Sequence, residues 1–195
     1  MKIRKMTNED FLAVGNVHKE AFPRQLPSKA WITCNFNAHP MNDKPTTENL
    51  IFREVQISDV SSLIPLMDQL GYPIDKEVMS QNIQKYMLLP NQKAWVAESS
   101  NQILGCIAVA ITNYFHRPGS FLRVITMIVS QEQRRSGIGK SLMSIAEKFA
   151  MEQDCSHIEL TSGIHREKLG SHKFYQSLGY IELNEIKKYF AKKLK

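Results

Sequence analysis

Cysteine is scarce in this chain of 195 residues. Cys34, Cys106 and Cys155 are widely spaced and form no Cys-x-x-Cys pair. That excludes the common zinc and dithiol-redox motifs and points to a reducing, cytoplasmic setting rather than a disulfide-built fold. Cys106 lies in an apolar stretch and reads as a small buried hydrophobe, not a nucleophile. Long apolar runs are missing too. The longest, around Ile103 to Ile111, is far short of the ~20 residues a helix needs to cross a bilayer, and it reads as a buried strand. Asn8, Glu9 and Asp10 interrupt the basic start where a secretory leader needs an unbroken apolar segment, so neither a leader nor a membrane partner is expected. His165 and His172 lack the His-Glu-x-x-His arrangement, and no metal is expected.

What is present is ordinary globular material, 43% apolar and 23% charged. The length suits one domain with an appendage and is too short for two full domains. Lys and Arg outnumber Asp and Glu by 25 to 19, a net +6, with lysines crowded at Lys187, Lys188, Lys192, Lys193 and Lys195. A basic balance favours anionic partners: nucleic acid, a membrane surface or a phosphorylated cofactor. Composition does not choose among them.

Periodicity orders the elements from about residue 50. Ile51 to Gln56 reads as a strand. A helix follows, capped by Ser58 or Asp59, with Val60, Leu63, Ile64, Met67 and Leu70 at helical spacing. Pro65 falls inside it and predicts a kink or break; Gly71 and Pro73 close it. Asp75 can cap a second helix with Met79, Ile83, Tyr86 and Met87 on its apolar face. Strands at Ala94 to Glu98 and Ile103 to Thr112 flank a short polar connection and predict a hairpin. Phe121 to Val129 is a further strand. After a glycine-containing loop comes a long helix with Leu142, Ile145, Ala146 and Phe149 inward and Ser144, Glu147 and Lys148 outward. His157 to Thr161 reads as a strand, Phe174 to Leu178 as a helix ended by Gly179, and two strand segments are expected from Tyr180 onward. Interleaved helices and strands around one mixed sheet make the class α/β or α+β.

Residues 1–48 stand apart. At an offset of 49, Arg4 and Asp10 match Arg53 and Asp59, and Met6, Phe11, Val14, Val17 and Ala21 align with Val55, Val60, Leu63, Leu66 and Leu70. That pattern is either a truncated partial repeat or the generic likeness of two strand-then-helix units. Residues 35–49 are polar, contain Pro40 and Pro45, and read as a linker. A truncated copy would pack on the main domain or on a partner subunit, the latter making a homodimer.

The stretch "QRRSGIGKS" ends like a triphosphatase phosphate loop, but Arg134 stands where that loop needs its first glycine. The dinucleotide fingerprint fails as well, because Leu142 occupies the position of its third glycine. What remains is Arg-x-x-Gly-x-Gly, formed by Arg134, Gly137 and Gly139 between a strand and a long helix. A helix start offers unpaired N–H groups and about half a positive charge, and glycines let a phosphate approach the backbone. A pyrophosphate suits it.

This spacing resembles the acetyl-CoA-binding motif of the GNAT superfamily of N-acetyltransferases. The likeness extends from about Leu50 to the C-terminus through "ITMIV", "QRRSGIG", "KSLMSIAEKFA" and "HREKLGSHKFYQSLGY". It implies a mixed, mostly antiparallel sheet flanked by helices over residues 49–195, with acetyl-CoA as co-substrate. Arg134, Arg135, Ser136, Gly137, Ile138, Gly139 and Lys140 would hold its pyrophosphate. Met127, Ile128 and Val129 would hold its pantetheine arm, and His172 and Tyr175 would line the same site. The resemblance further implies direct attack of a primary amine on the thioester, with Tyr175 returning a proton to the departing thiolate as general acid.

Family members often carry a glutamate base on this strand. Thr126 stands there instead, so the base is open among Glu98, Glu159, His116 and His172. The acceptor is expected to be a small-molecule amine, gripped by the regions Leu70 to Leu89 and Asn113 to Ser120. Three alternatives stand beside this: a CoA-binding sensor without turnover, an acetyltransferase of protein N-termini or lysines, and, from the basic tail with Tyr189 and Phe190, a nucleic-acid binder. No recognised nucleic-acid motif accompanies those lysines.

Overall fold

The computed structural model describes residues 50–184 and 190–194. Strand β1 (Ile51–Glu54) leads through a short turn at Ile57–Asp59 into helices α1 (Val60–Leu70) and α2 (Lys76–Leu88). Strands β2 (Gln92–Ser99), β3 (Gln102–Asn113) and β4 (Ser120–Val129) follow. Helix α3 (Ile138–Glu152) crosses to β5 (Cys155–Glu159), and α4 (Ser171–Ser177) ends the regular structure among the described residues. The strands form one sheet in the order β1-β2-β3-β4-β5. Each neighbouring pair is antiparallel except β4 and β5, which run parallel. The mixed, mostly antiparallel class expected from the sequence is the one observed.

Local chemistry explains the joints. Ser100 and Asn101 both have positive φ, 49° and 62°, the two-residue turn whose twist matches that of a hairpin. Gly71, at φ 88°, ends α1 with its N–H bonded to Asp68 O at 2.9 Å, while the Tyr72 N–H bonds to Met67 O at 2.9 Å. The expected kink at Pro65 does not break α1, which runs unbroken from Val60 to Leu70. Pro65 and Ser61 both lie on the exposed side. The carbonyl that loses its helical partner there can bond to water, while Leu63, Leu66 and Met67 bury the other side.

Two cores sandwich the sheet. On one face α1 and α2 bury Val60, Leu63, Leu66, Met67 and Ile83 against Val96, Cys106 and Ile128. On the other, α3 buries Ile138, Leu142, Met143, Ala146 and Ala150 against Ala97, Ile107, Val109, Leu122 and Val124. Each fully buried Leu or Ile contributes about 1.5–3 kcal/mol, so these faces fix which side of each strand is inside.

Several expectations shift. Met87 is not on the buried face of α2 but 58% exposed, since the contact surface fades toward the end of that helix. Glu147 does not face open solvent: it accepts a hydrogen bond from the Tyr180 hydroxyl at 3.0 Å. Strand β5 begins two residues earlier than its periodicity suggests and ends at Glu159, because its pairing with β4 ends there. No described residue after Tyr180 is in a strand. The expected repeat in residues 1–48, together with Lys187, Lys188, Tyr189 and Lys195, lies outside the described residues. Among the described helices none is long and apolar enough to cross a membrane.

Candidate active site

The sheet opens at β4. Ladder pairing with β5 covers Ser120↔Cys155, Leu122↔Ile158 and Arg123↔Glu159 and stops, whereas pairing with β3 continues to Val129↔Gly105. From Val124 on, β4 therefore presents one edge to β3 and the other to a gap. Alternate backbone N–H and C=O groups of this segment point into that gap, ready for an extended polar guest.

A β-bulge sits at the mouth of the opening. Ala108 pairs with Thr126 and Val109 with Val124, leaving Ile125 as the extra residue. Val124 and Ile128 are four apart and would share a face in a regular strand. Instead Val124 packs toward α3 and Ile128 toward α1. The bulge reverses the alternation and turns the backbone of Thr126 to Val129 relative to the stretch before it. Gly105 is required opposite: a Cβ there would lie 2.8 Å from Ile128 O. Sequence reading passed over this glycine, although an isolated glycine inside a strand pattern marks such a close approach.

The loop after β4 delivers the helix start expected to hold a pyrophosphate. Helix α3 begins at Ile138, two residues before Lys140, with Gly137 as its N-cap at φ 91° and no side chain capping it. The N–H groups of Ile138, Gly139 and Lys140 have no intrahelical acceptor, and Ser141 is the first to bond back, to Gly137 O at 3.1 Å. Space around Gly137 is open. Arg135 also takes a left-handed conformation, φ 68°, and is exposed beside the helix start. Arg134 is half-buried. Ser136 does not offer its hydroxyl proton outward: it donates to Gln133 O at 2.6 Å and so stiffens the turn. Ile138 points away from any ligand into the α3 core, so its contribution to the loop is its backbone N–H. The donor set suits a diphosphate.

Helix α4 closes the side of the gap nearest α3. A Cβ on Gly139 would sit 3.3 Å from Phe174 Cζ and 3.6 Å from Val129 Cγ2, so this glycine lets α4 pack onto the junction of β4 and α3. Tyr175 follows Phe174, their rings meeting edge-on at 5.2 Å. Burial raises the Tyr175 pKa above the ordinary phenol value, with the Arg166 charge offsetting part of that. The phenol is therefore protonated through neutral pH and able to donate. Tyr180 stands edge-on to it at 6.1 Å. The end of α1 touches both walls: Gln69 Oε1 accepts from the Gln131 N–H at 3.0 Å, and Arg166 donates to Leu70 O.

The four candidate bases separate. Glu98 is held by Arg53 Nε at 2.6 Å, and the same guanidinium donates two bonds of 2.8 Å to the buried Asp59. Glu98 lies on β2, where the sheet is fully paired on both sides. His116 is exposed on the β3–β4 turn, edge-on to Tyr114. His172 turns its Nε2 toward Gly163 O at 3.3 Å. Glu159 is the last β5 residue paired to β4, at the start of the gap. It lies 3.6 Å from Arg123 Nη1 and 3.1 Å from His157 Nε2. Ile158 between them packs toward the α3 core, so His157 and Glu159 face the α1 side.

A sheet opened along one strand beside an uncapped helix start makes a slot suited to an extended guest that ends in a diphosphate. Residues 62–180 match the Acetyltransferase (GNAT) family, and the chain belongs to it; the family's co-substrate is acetyl-CoA. The chain is 28% identical to the N-acetyltransferase family 8 member 3 of Rattus norvegicus over 148 residues, covering 72% of this chain and 64% of that protein. It is 31% identical to the N-acetylaspartate synthetase of the same species over 97 residues, covering 50% and 30%. The chain spans about half the length of the curated relatives it matches. A GNAT family acetyltransferase of Staphylococcus aureus superposes with a TM-score of 0.61 at 24% identity, over 74% of this chain and 98% of that one.

Proposed function

We propose that the chain is an N-acetyltransferase that moves the acetyl group of acetyl-CoA to the primary amine of a small molecule by direct attack. The observation that carries this is the unpaired edge of β4 beyond Arg123 running straight into the glycine-capped start of α3. Acetyl-CoA supplies an activated acyl carbon. The N–H groups of Ile138, Gly139 and Lys140, with Arg134 and Arg135 beside them, hold the diphosphate. The backbone of Met127 to Val129 orients the extended arm, and an N–H on this edge stabilises negative charge developing on the carbonyl oxygen.

A lysine-like amine with pKa ~10.4 is neutral only on the order of one part in a thousand at pH 7, a barrier of roughly 4 kcal/mol. Glu159 takes that proton, being the carboxylate at the mouth of the gap, and Tyr175 gives one to the thiolate. Two protons leave the nitrogen as ammonium becomes amide: Glu159 takes the first and passes it to water, and the second, lost from the tetrahedral adduct, offsets the one that Tyr175 gives to the thiolate.

A second reading concerns the acceptor. Arg123 and Glu159 are both partly exposed, 31% and 24%, and at 3.6 Å they are too far apart for a hydrogen bond. That places a cation and an anion side by side, a match for an amine that neighbours a carboxylate. The likeness to a relative named for making N-acetylaspartate supports it. Thiol release on mixing acetyl-CoA with alkylamines, amino sugars, amino acids and short peptides tests both readings. Release with any small amine supports the transferase, and preference for amino acids supports the second. Cofactor binding without release from any amine would make the chain a sensor, and release with peptides alone would make it a protein acetyltransferase.

A further inference from the structure

Aromatic and polar side chains near the gap surround a residue that the proposed chemistry does not yet use. His157 has only 7% of its side chain exposed. Its ring is stacked on Phe121, at 5.3 Å and 9°, and on Tyr114, at 6.3 Å and 27°. The guanidinium of Arg117 lies 3.8 Å over the far ring of Tyr114. Clamped in this way, the imidazole has little freedom to turn, and both of its nitrogens are engaged.

The hydrogen-bond pattern assigns the tautomer. Ser156 Oγ donates its single proton to Ser120 O at 2.9 Å, so it has none left for His157 Nδ1, which lies 3.0 Å away. The Tyr114 hydroxyl lies 3.2 Å from Nδ1 and 3.1 Å from Ser156 Oγ. A carboxylate oxygen only accepts, so the proton of the neutral ring sits on Nε2, where it donates to Glu159 Oε1 at 3.1 Å. Oε2 of Glu159 lies on the Arg123 side.

We propose that Tyr114, His157 and Glu159 form a relay of orientation in which His157 is a positioning residue. It fixes one oxygen of Glu159 so that the other meets the incoming ammonium, and it ties the basicity of that carboxylate to its own protonation. The inference rests on Glu159 being the base. A carboxylate at the end of an edge strand sweeps through several rotamers; one held by a buried ring does not, and orientation of this kind is where much of the catalytic benefit of a positioned base arises. Charged and titratable groups around the pair include Arg123 from β4, and Tyr114, His116 and Arg117 from the β3–β4 turn. Protonation of His157 places a second cation beside Glu159, in addition to Arg123, and weakens it as a base. The acid limb of the rate profile therefore carries an inflection that belongs to the His157 ring.

Steady-state kinetics of H157A, H157Q, Y114F and E159Q on the full chain, with the amine found active in the panel, test this from pH 5 to 9. For H157A we expect kcat/KM for the amine to fall about 10- to 100-fold, the scale seen when an orienting partner is removed, with KM for acetyl-CoA unchanged. H157Q keeps an N–H donor without a titrating ring. It should recover most of the rate at pH 8 and lose the inflection, while Y114F, which removes one of the two hydroxyls at Nδ1, shows a smaller fall. Wild-type rates and an unchanged inflection in both His157 variants overturn the inference, as does an H157Q as slow as H157A with the inflection intact. If H157A does not fold, H157Q and Y114F decide alone. E159Q separates the layers: full activity there removes the base itself, whereas an inactive E159Q beside unaffected His157 variants refutes only the positioning role.

Discussion

Two glutamates, each facing an arginine across a strand pair, behave as opposites. Glu98 and Arg53 meet at 2.6 Å, and Arg53 is forked onto Asp59, so the donors and acceptors of the three groups largely saturate one another. Glu159 and Arg123 stay 3.6 Å apart, with His157 on the other oxygen of the carboxylate. The first set joins β1, β2 and the turn before α1 where the sheet is continuous; the second stands where it parts. A charge cluster inside a closed ladder is a structural clasp, and a similar cluster at the ladder's end stands beside the opening of the sheet.

The comparison can be broken most directly at its acids. Replacing Glu159 by Gln should lower kcat by about 10²- to 10⁴-fold, the usual contribution of a general base, while E98Q should leave kcat within a few-fold; the reverse result would move the base to β2. Next in size is the clasp itself. Arg53→Met leaves the 5% exposed Asp59 without its partner and should cost about 2–3 kcal/mol in denaturant unfolding.

The clasp also predicts an acid response. Burial by itself would raise the Asp59 pKa, but hydrogen bonds from Arg53 and the Gln56 N–H, with the Arg53 charge, outweigh it and hold the carboxyl below its ordinary value. A depressed carboxyl contributes stability that is present above its unfolded pKa of ~3.9 and lost as pH falls through the lower folded value. Melting curves from pH 5 downward should show that loss in the wild type and a flatter response in R53M. Tyr175→Phe, which tests the thiolate side of the gap, should reduce kcat by about 10- to 100-fold without raising KM for acetyl-CoA. The smallest effect is expected at the loop. Gly137→Ala strains a φ of 91° by about 1–2 kcal/mol, and should appear as a higher KM for acetyl-CoA with kcat little changed.

Much of the scaffold was legible before any coordinates. Apolar spacing located α1, α2 and α3, and "RRSGIG" marked the helix start, because a helix terminus and its glycines are set by neighbours along the chain. The misses have equally physical causes. Pro65 predicted a break, yet packing of Leu63, Leu66 and Met67 holds α1 together while the freed carbonyl faces water. Met143 was not assigned to the core because the apolar stripe of α3 is wider than the face counted, and it is fully buried. His157 drew no notice as a site residue, although His-x-Glu in a strand places both side chains on one face; a single polar residue in a short strand does not announce what stacks on it.

Local order along the chain thus determined where the glycine-capped helix start lies, since backbone conformation there depends on residues within a few positions of one another. Which carboxylate stands at the opening of the sheet was decided only by the tertiary structure. Glu98 and Glu159 look alike in sequence, and the difference lies in where long-range strand pairing ends: at Arg123↔Glu159, with β4 turned by a bulge at Ile125. Non-local hydrogen bonding sets that endpoint, so no reading of either glutamate's neighbours along the chain contains it.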